Sequence, residues 1–168
     1  MLTLITTPGA SNANSYASLV EAEAYYNQHV AFDAWAAYTL LQLSRGLAHA
    51  TVVLDRVVQW RGTIASTSQA LLWPRLGVVD QKTQMEIASN IIPQWLKDAT
   101  AETARALLDQ DSSQGGDFSG LRRLRYGAIE AEFVGGGVQA VLPSAALVLI
   151  EPYSWTARGG MMARLQRV

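Results

Sequence analysis

The clearest hydrophobic period in the chain runs from Thr39 to Gln59, where Leu40, Leu43, Leu47, Ala50 and Leu54 recur at intervals of three and four. That spacing places them on one face of an α-helix. Val53, Val57 and Trp60 widen the stripe enough to predict burial over much of the helix surface. Gly46 interrupts the stripe at a cost of roughly 1 kcal/mol relative to alanine, which close approach of a neighbouring helix would explain. Arg61-Gly62 ends the element, glycine being suited to the left-handed C-terminal position. Upstream, Ser18 and Glu21 stand in the capping-box relation, and Leu19–His29 carries Ala22, Tyr25 and Tyr26 on one face. A short helical piece is expected over Asp33–Tyr38. Ile92-Pro93 opens another helix, because proline loses nothing in a first turn. Its core face is Ile92, Trp95, Leu96, Ala99, Ala104, Leu107 and Leu108, ending near Asp109.

Elsewhere the pattern is weaker. Thr63–Asn90 has no sustained period, only the composition of a helical turn at Ser68–Leu72. Residues 112–120 have the Ser, Gly and Gln content of a flexible linker. Ile129, Ala131 and Phe133 alternate with Glu130 and Glu132, the period of a half-exposed strand, which Gly135–Gly137 ends. Pro143–Ile150 is a short apolar helix candidate. The predicted fold is mainly α: a small helical bundle core with a short β extension and extended N- and C-terminal arms. The boundaries are an N-terminal arm (1–14), helical core (15–111), linker (112–120), β extension (121–142), and C-terminal helix with basic arm (143–168).

Composition narrows the class. A chain of 168 residues with 49% apolar and 16% charged content suits one globular domain. No window approaches the roughly 18 consecutive apolar residues of a membrane span. Met1–Pro8 lacks the basic start and long apolar run of a signal peptide, so secretion and membrane insertion are not expected. Cysteine is absent, which removes disulfides, thiolate catalysis and zinc–thiolate sites together. A net charge of −1 argues against a surface built wholly for nucleic acid. The arginines are unevenly spread, however. Arg158, Arg164 and Arg167 lie in a C-terminal stretch without acids, and Arg122, Arg123 and Arg125 form a second basic run.

Enzyme chemistry finds little support. The only candidate bases of a nucleophilic triad are His29 and His49, neither in a recognisable motif. His29 suits a helix C-terminus, where a cation favours the dipole, and His49 reads as a structural residue beside the apolar stripe. Glu21 and Glu23 point in different directions on a helix, while Glu130 and Glu132 share the solvated face of a strand. Neither spacing builds a metal cluster. Gly135-Gly136-Gly137 lacks the Lys-Ser/Thr of a phosphate-binding loop. The expectation is therefore no enzyme, no cofactor and no metal.

The arginines and tryptophans point instead to association. Arg122, Arg123 and Arg125 can track a nucleic-acid backbone, but only Tyr126 offers a stacking ring, and a solvated edge or an interface with an acidic partner is the simpler reading. The C-terminal run Trp155, Arg158, Met161, Met162, Arg164, Leu165 and Arg167 has the composition of a protein interface. Trp60, Trp73 and Trp95 read as core residues, with Arg61 and Arg75 able to stack on rings or bridge to acids.

Several of these residues match a known pattern. Ser15-Tyr16 precedes the acidic helix Val20–Tyr26, followed by Trp60-Arg61-Gly62, Gln69–Val78 with Trp73-Pro74-Arg75, Ile92-Pro93 leading to Ala99 and Ala104, and Ala128–Phe133. Over residues 15–133 the chain resembles the head–tail connector, or adaptor, proteins of tailed phages, some of which carry the label DnaT-like single-stranded DNA-binding protein. The Trp-Pro-Arg segment is the most specific part of the match. The resemblance implies a helical core in a homo-oligomeric ring, expected to hold twelve copies, docked beneath the portal in the virion. Its arms would bind the portal protein, its far face would meet tail or nozzle proteins, and double-stranded DNA would pass through its lumen. Residues 134–168 fall outside the match, and the portal-binding role of 152–168 rests on composition. Two alternatives remain: a single-stranded DNA-binding module using Arg122–Arg125, and another ring component such as a tail terminator or completion protein.

Overall fold

The computed structural model describes residues 2–113 and 142–155. Ser18 starts α1 (Leu19–Tyr26) with a reciprocal capping box. Its hydroxyl accepts from the Glu21 N–H at 3.3 Å, and the Glu21 carboxylate accepts from the Ser18 N–H at 2.8 Å. Two donors that a helix start leaves open are thereby satisfied. After the short α2 (Phe32–Ala36), Thr39 and Gln42 repeat the same device at the start of α3 (Leu40–Val57). α4 (Gln94–Ser113) follows the buried Pro93. It runs into the expected linker, because Ser112 and Ser113 carry no backbone restriction and the first glycine there is Gly115. α5 (Ser144–Ile150), preceded by Pro143, leads into a 3-10 turn at Glu151–Tyr153.

α3 and α4 form the central pair and share two apolar clusters. One holds Tyr26, Trp35, Leu43, Leu47, Ala50, Ala104 and Leu108, and the other holds Tyr16, Leu54, Trp60, Trp73, Leu96, Ile150 and Tyr153. Gly46 lies where the helices approach: a β-carbon there would sit 3.1 Å from Leu108 Cδ1 and 3.6 Å from Ala104 Cβ. The close approach expected from that glycine is thus the observed one. Leu40, the first residue of the predicted stripe, is 62% exposed on the opening turn of α3.

α4 also buries polar groups that its apolar spacing did not reveal. Thr100 and Thr103 donate to the carbonyls of Leu96 and Ala99 one turn earlier, which satisfies their hydroxyls inside the core. The buried Glu102 accepts from the Tyr25 hydroxyl at 3.0 Å and lies 3.7 Å from His29 Nε2. His29 therefore sits just past α1, beside a carboxylate.

Residues 2–14 contain no helix or strand, yet are held against the core. Asn14 accepts from the Ile5 N–H through Oδ1 at 2.8 Å, the Ala10 carbonyl accepts from Ala70 N–H at 3.1 Å, and Leu4 packs on the cluster of Tyr26, Trp35 and Leu43. Between α3 and α4 the chain makes two short strands in place of an irregular loop. β1 (Thr63–Ile64) pairs antiparallel with β2 (Arg75–Leu76), Thr63 opposite Leu76, and Val79 bridges Glu86. Thr67–Ser68 form a tight turn and Ala70–Leu72 form bends, with no helix over Ser68–Leu72. Two-residue strands are too short to show a period, so only pairing across the loop reveals them. The fold among the described residues is mainly helical, with this pair as its sheet. The predicted strand at 128–133 lies outside the described residues. No helix among the described residues is long and apolar enough to cross a membrane.

Candidate docking site at the tryptophan cluster

The segment from Trp60 to Arg75 closes on itself through one side chain. Arg75, 8% exposed, donates from Nε to the Arg61 carbonyl at 2.7 Å, from Nη2 to the Gly62 carbonyl at 2.7 Å, and from Nη1 to the Leu72 carbonyl at 3.1 Å. Sequence reasoning paired this arginine with rings or acids; its hydrogen bonds are to backbone carbonyls on both sides of the loop. Gly62 has φ +71°, and a β-carbon there would lie 2.1 Å from the Leu76 carbonyl oxygen. Both backbone conformation and space therefore require glycine. The Trp73-Pro74 peptide is cis.

α3 holds the far side of this loop through Asp55. Its carboxylate accepts a hydrogen bond from the Tyr16 hydroxyl and another from the Leu72 N–H at 3.0 Å. The Tyr16 oxygen in turn accepts from the Trp73 N–H at 3.2 Å. Burial raises the Asp55 pKa above the usual carboxylate range, with the Tyr16 and Leu72 hydrogen bonds pulling against it. Burial, reinforced by the Asp55 charge, pushes Tyr16 well above its ordinary value. Tyr16 stands in the sequence only as part of the Ser15-Tyr16 match, and Asp55 is a lone acid beside the apolar stripe with no role assigned by pattern.

The tryptophans form one packed group. Trp73 meets Trp60 and Trp95 edge-on, with ring centroids 5.9 and 5.2 Å apart, and Trp95 stacks on Tyr153 at 4.0 Å. This group pins the C-terminal segment. Trp60 bridges Ser154, Arg61 N–H donates to the Tyr153 carbonyl at 3.0 Å, and Trp155 N–H donates to the Gln59 carbonyl at 2.8 Å. Arg61 also donates from Nε to the Ser154 carbonyl at 3.3 Å, and its guanidinium carbon lies 4.9 Å from the Trp155 ring centroid. Arg61 thus stacks on a tryptophan distant in sequence and not on adjacent Trp60. The Trp155 indole is 69% exposed.

Beside this pair are two adjoining concavities of about 430 and 280 Å³ that share Arg61, Gln81 and Pro152. Glu151, Ser154 and Trp155 complete the larger, and Gly77–Val79 and Gln84 the smaller. Asp80 organises the adjoining turn by accepting from the Lys82 and Thr83 N–H groups. The Thr83 backbone hydrogen bond, foremost, holds its pKa below the usual range.

Of the residues predicted to contact partners, Trp155 is placed on this edge. Arg158, Met161, Met162, Arg164, Leu165 and Arg167 lie outside the described residues, as do Arg122, Arg123 and Arg125. Trp60, Arg61, Gly62, Trp73, Pro74 and Arg75 come together, and the Pro93 carbonyl accepts from Leu96 and Lys97 in the first turn of α4. His49 is half-buried on α3, and burial, aided by the Arg56 charge, lowers its pKa. Among the described residues no group of three His, Asp or Glu side chains is placed to hold a metal ion.

Charge is divided sharply along the chain. Residues 2–113 and 142–155 hold seven of the 13 Lys and Arg residues but eleven of the 14 Asp and Glu. At least four of those seven cations are engaged within the fold: Arg61 on the Ser154 carbonyl, Arg75 on carbonyls, Lys97 on Glu21, and Arg105 on Asp109. No curated protein and no solved structure matches the chain. Residues 1–168 match the family described as "Putative DnaT-like ssDNA binding protein", and the chain belongs to that family.

Proposed function

We propose that this chain is a structural, non-enzymatic subunit of a phage head–tail connector ring, lying in the virion beneath the portal protein and above tail proteins. The observation that carries this reading is the anchoring of the C-terminal segment on the Trp60–Trp73–Trp95 group, ending in an exposed Trp155 beside Arg61. An exposed tryptophan–arginine pair on a rigid base is typical of interface anchors. The residues that follow in sequence, Arg158 to Arg167, add arginine, methionine and leucine without an acid. A net-negative folded core offers little for a polyanion to track. Association by such an arm requires no cofactor and no catalytic residue.

The test is co-expression with the portal protein of the same phage. The full chain should join portal rings, while a chain ending at Trp155 should keep its unfolding midpoint and fail to join. Normal co-assembly of the truncated chain would remove the arm from this role. An image of the particle vertex would locate the ring and count its copies.

Single-stranded DNA binding is the second reading, and the family description favours it. Arg122, Arg123 and Arg125 would be its contacts. It predicts tight binding of a (dT)12 oligonucleotide that weakens steeply with salt, by about 0.7 log unit per log unit of salt for each contacted phosphate. Charge reversal at Arg122 and Arg123 that abolished this binding and spared portal assembly would favour it over the connector.

A further inference from the structure

The groove formed by the two concavities beside Arg61 has a composition that selects its occupant. Among the described residues that line it, Arg61 is the sole cation. Its Nε is held on the Ser154 carbonyl, which orients the guanidinium against the Trp155 ring. An arginine fixed in this way presents its two terminal nitrogens as a fork for a carboxylate. Trp155, Pro152 and Val79 add apolar wall, while Gln81 and Gln84 add amides able to pair with an extended backbone. Ser154 is 3% exposed, and its hydroxyl has no partner among the described residues.

We propose that this groove docks an extended, carboxylate-bearing segment of a partner protein, with Arg61 taking the carboxylate and Trp155 packing on a neighbouring apolar side chain. The inference rests on the assembly reading above and gives it a contact within the folded core, separate from residues 156–168. Charge decides against a nucleic acid in the same place. A strand of phosphates needs a track of cations, whereas the described residues lining this groove include one, and Glu151 stands on its wall. A single carboxylate is matched by a single fixed arginine.

Two measurements on the full chain test the proposal. The first uses a fluorescein-labelled peptide alternating Glu with Ile and Phe, its Gln-for-Glu counterpart, and (dT)12, each titrated by anisotropy. The Glu peptide should bind, and Gln replacement, Arg61→Glu or Trp155→Ala should each weaken it at least about tenfold, as expected for an interface anchor. Arg61→Lys should keep the charge but lose part of the binding, because lysine lacks the fork. Unfolding midpoints of the variants identify any loss caused by misfolding, and a matching Lys peptide should bind Arg61→Glu better than it binds the parent chain. Equal binding of the Glu and Gln peptides, binding of neither, or (dT)12 binding that Arg61→Glu abolishes would each overturn the proposal.

The second measurement separates this inference from the connector reading. Arg61→Glu and Trp155→Ala are carried into the portal co-assembly assay. Loss of assembly with both supports the groove as a working contact. Normal assembly with both would overturn the groove and leave the connector reading standing. Peptide binding by a chain that never joins portal would overturn the connector reading alone.

Discussion

Trp95 of α4 lies flat on Tyr153, ring centroids 4.0 Å apart and planes 4° from parallel. This stack ties the last described turn of the chain to the central helix pair. Replacing Tyr153 by Ala removes the stack and opens a cavity, at a cost of about 3–5 kcal/mol. Tyr153→Phe should cost only about 1 kcal/mol, since it keeps the ring and loses the hydroxyl's hydrogen bonds at the adjoining turn, to Asp80 at 3.5 Å and with the Gln81 backbone. Urea unfolding of both variants checks this. Equal losses would show that the hydroxyl, and not the ring, carries the contact.

Gly62 and Gly77 have nearly the same backbone, φ +71° and +73°, but different surroundings. A β-carbon at Gly77 meets nothing within 4 Å, so Gly77→Ala should cost only the left-handed penalty of about 1–2 kcal/mol. At Gly62 the same atom collides with the Leu76 carbonyl. The β1–β2 pair must then move, and Gly62→Ala should cost at least about 2 kcal/mol more. Thermal unfolding of the two variants side by side measures the difference.

Arg75→Lys keeps the charge but loses the fork that reaches Arg61, Gly62 and Leu72 carbonyls together. Its stability should fall by about 2–3 kcal/mol, most of the loss seen for Arg75→Ala. The change should also raise hydrogen exchange at Leu72 and Trp73. A lysine variant as stable as the parent would mean that the carbonyls find other donors.

Two groups give the fold acid sensitivity of the same sign. Burial pushes Glu21 up, but hydrogen bonds from Lys97 and Ser18 outweigh it and leave its pKa below the usual 4.5. A depressed carboxylate stabilises the fold above its unfolded value, and that contribution disappears as pH falls through the folded one. His49 has a pKa lowered from 6.5, chiefly by burial. The unfolded chain takes up its proton first, so this loss of stability begins as pH falls below about 6.5. Glu21→Gln should flatten the stability profile below pH 4.5, and His49→Gln should flatten it just below 6.5. Unchanged slopes in those windows would rule out each group.

Features set within one or two turns were legible in the sequence. Ser18 with Glu21, the Leu43–Leu54 face of α3, Pro93 before α4 and Pro143 before α5 all follow from spacing that any isolated segment carries. Gly46 foretold a close helix approach because a glycine in a strong stripe needs a reason. The Trp60–Arg75 segment was recognisable as a motif, but its internal wiring was not.

Sequence by itself therefore determined the helices, their caps and the tryptophan-marked segment, because these depend on interactions between near neighbours along the chain. Tertiary structure alone decided what that segment does. It set Arg75 on three carbonyls, placed Asp55 and Tyr16 behind Leu72 and Trp73, and brought Arg61 onto Ser154, 93 residues away. Such contacts arise only after α3, α4 and α5 have packed, since no local periodicity records which distant groups will meet in the core.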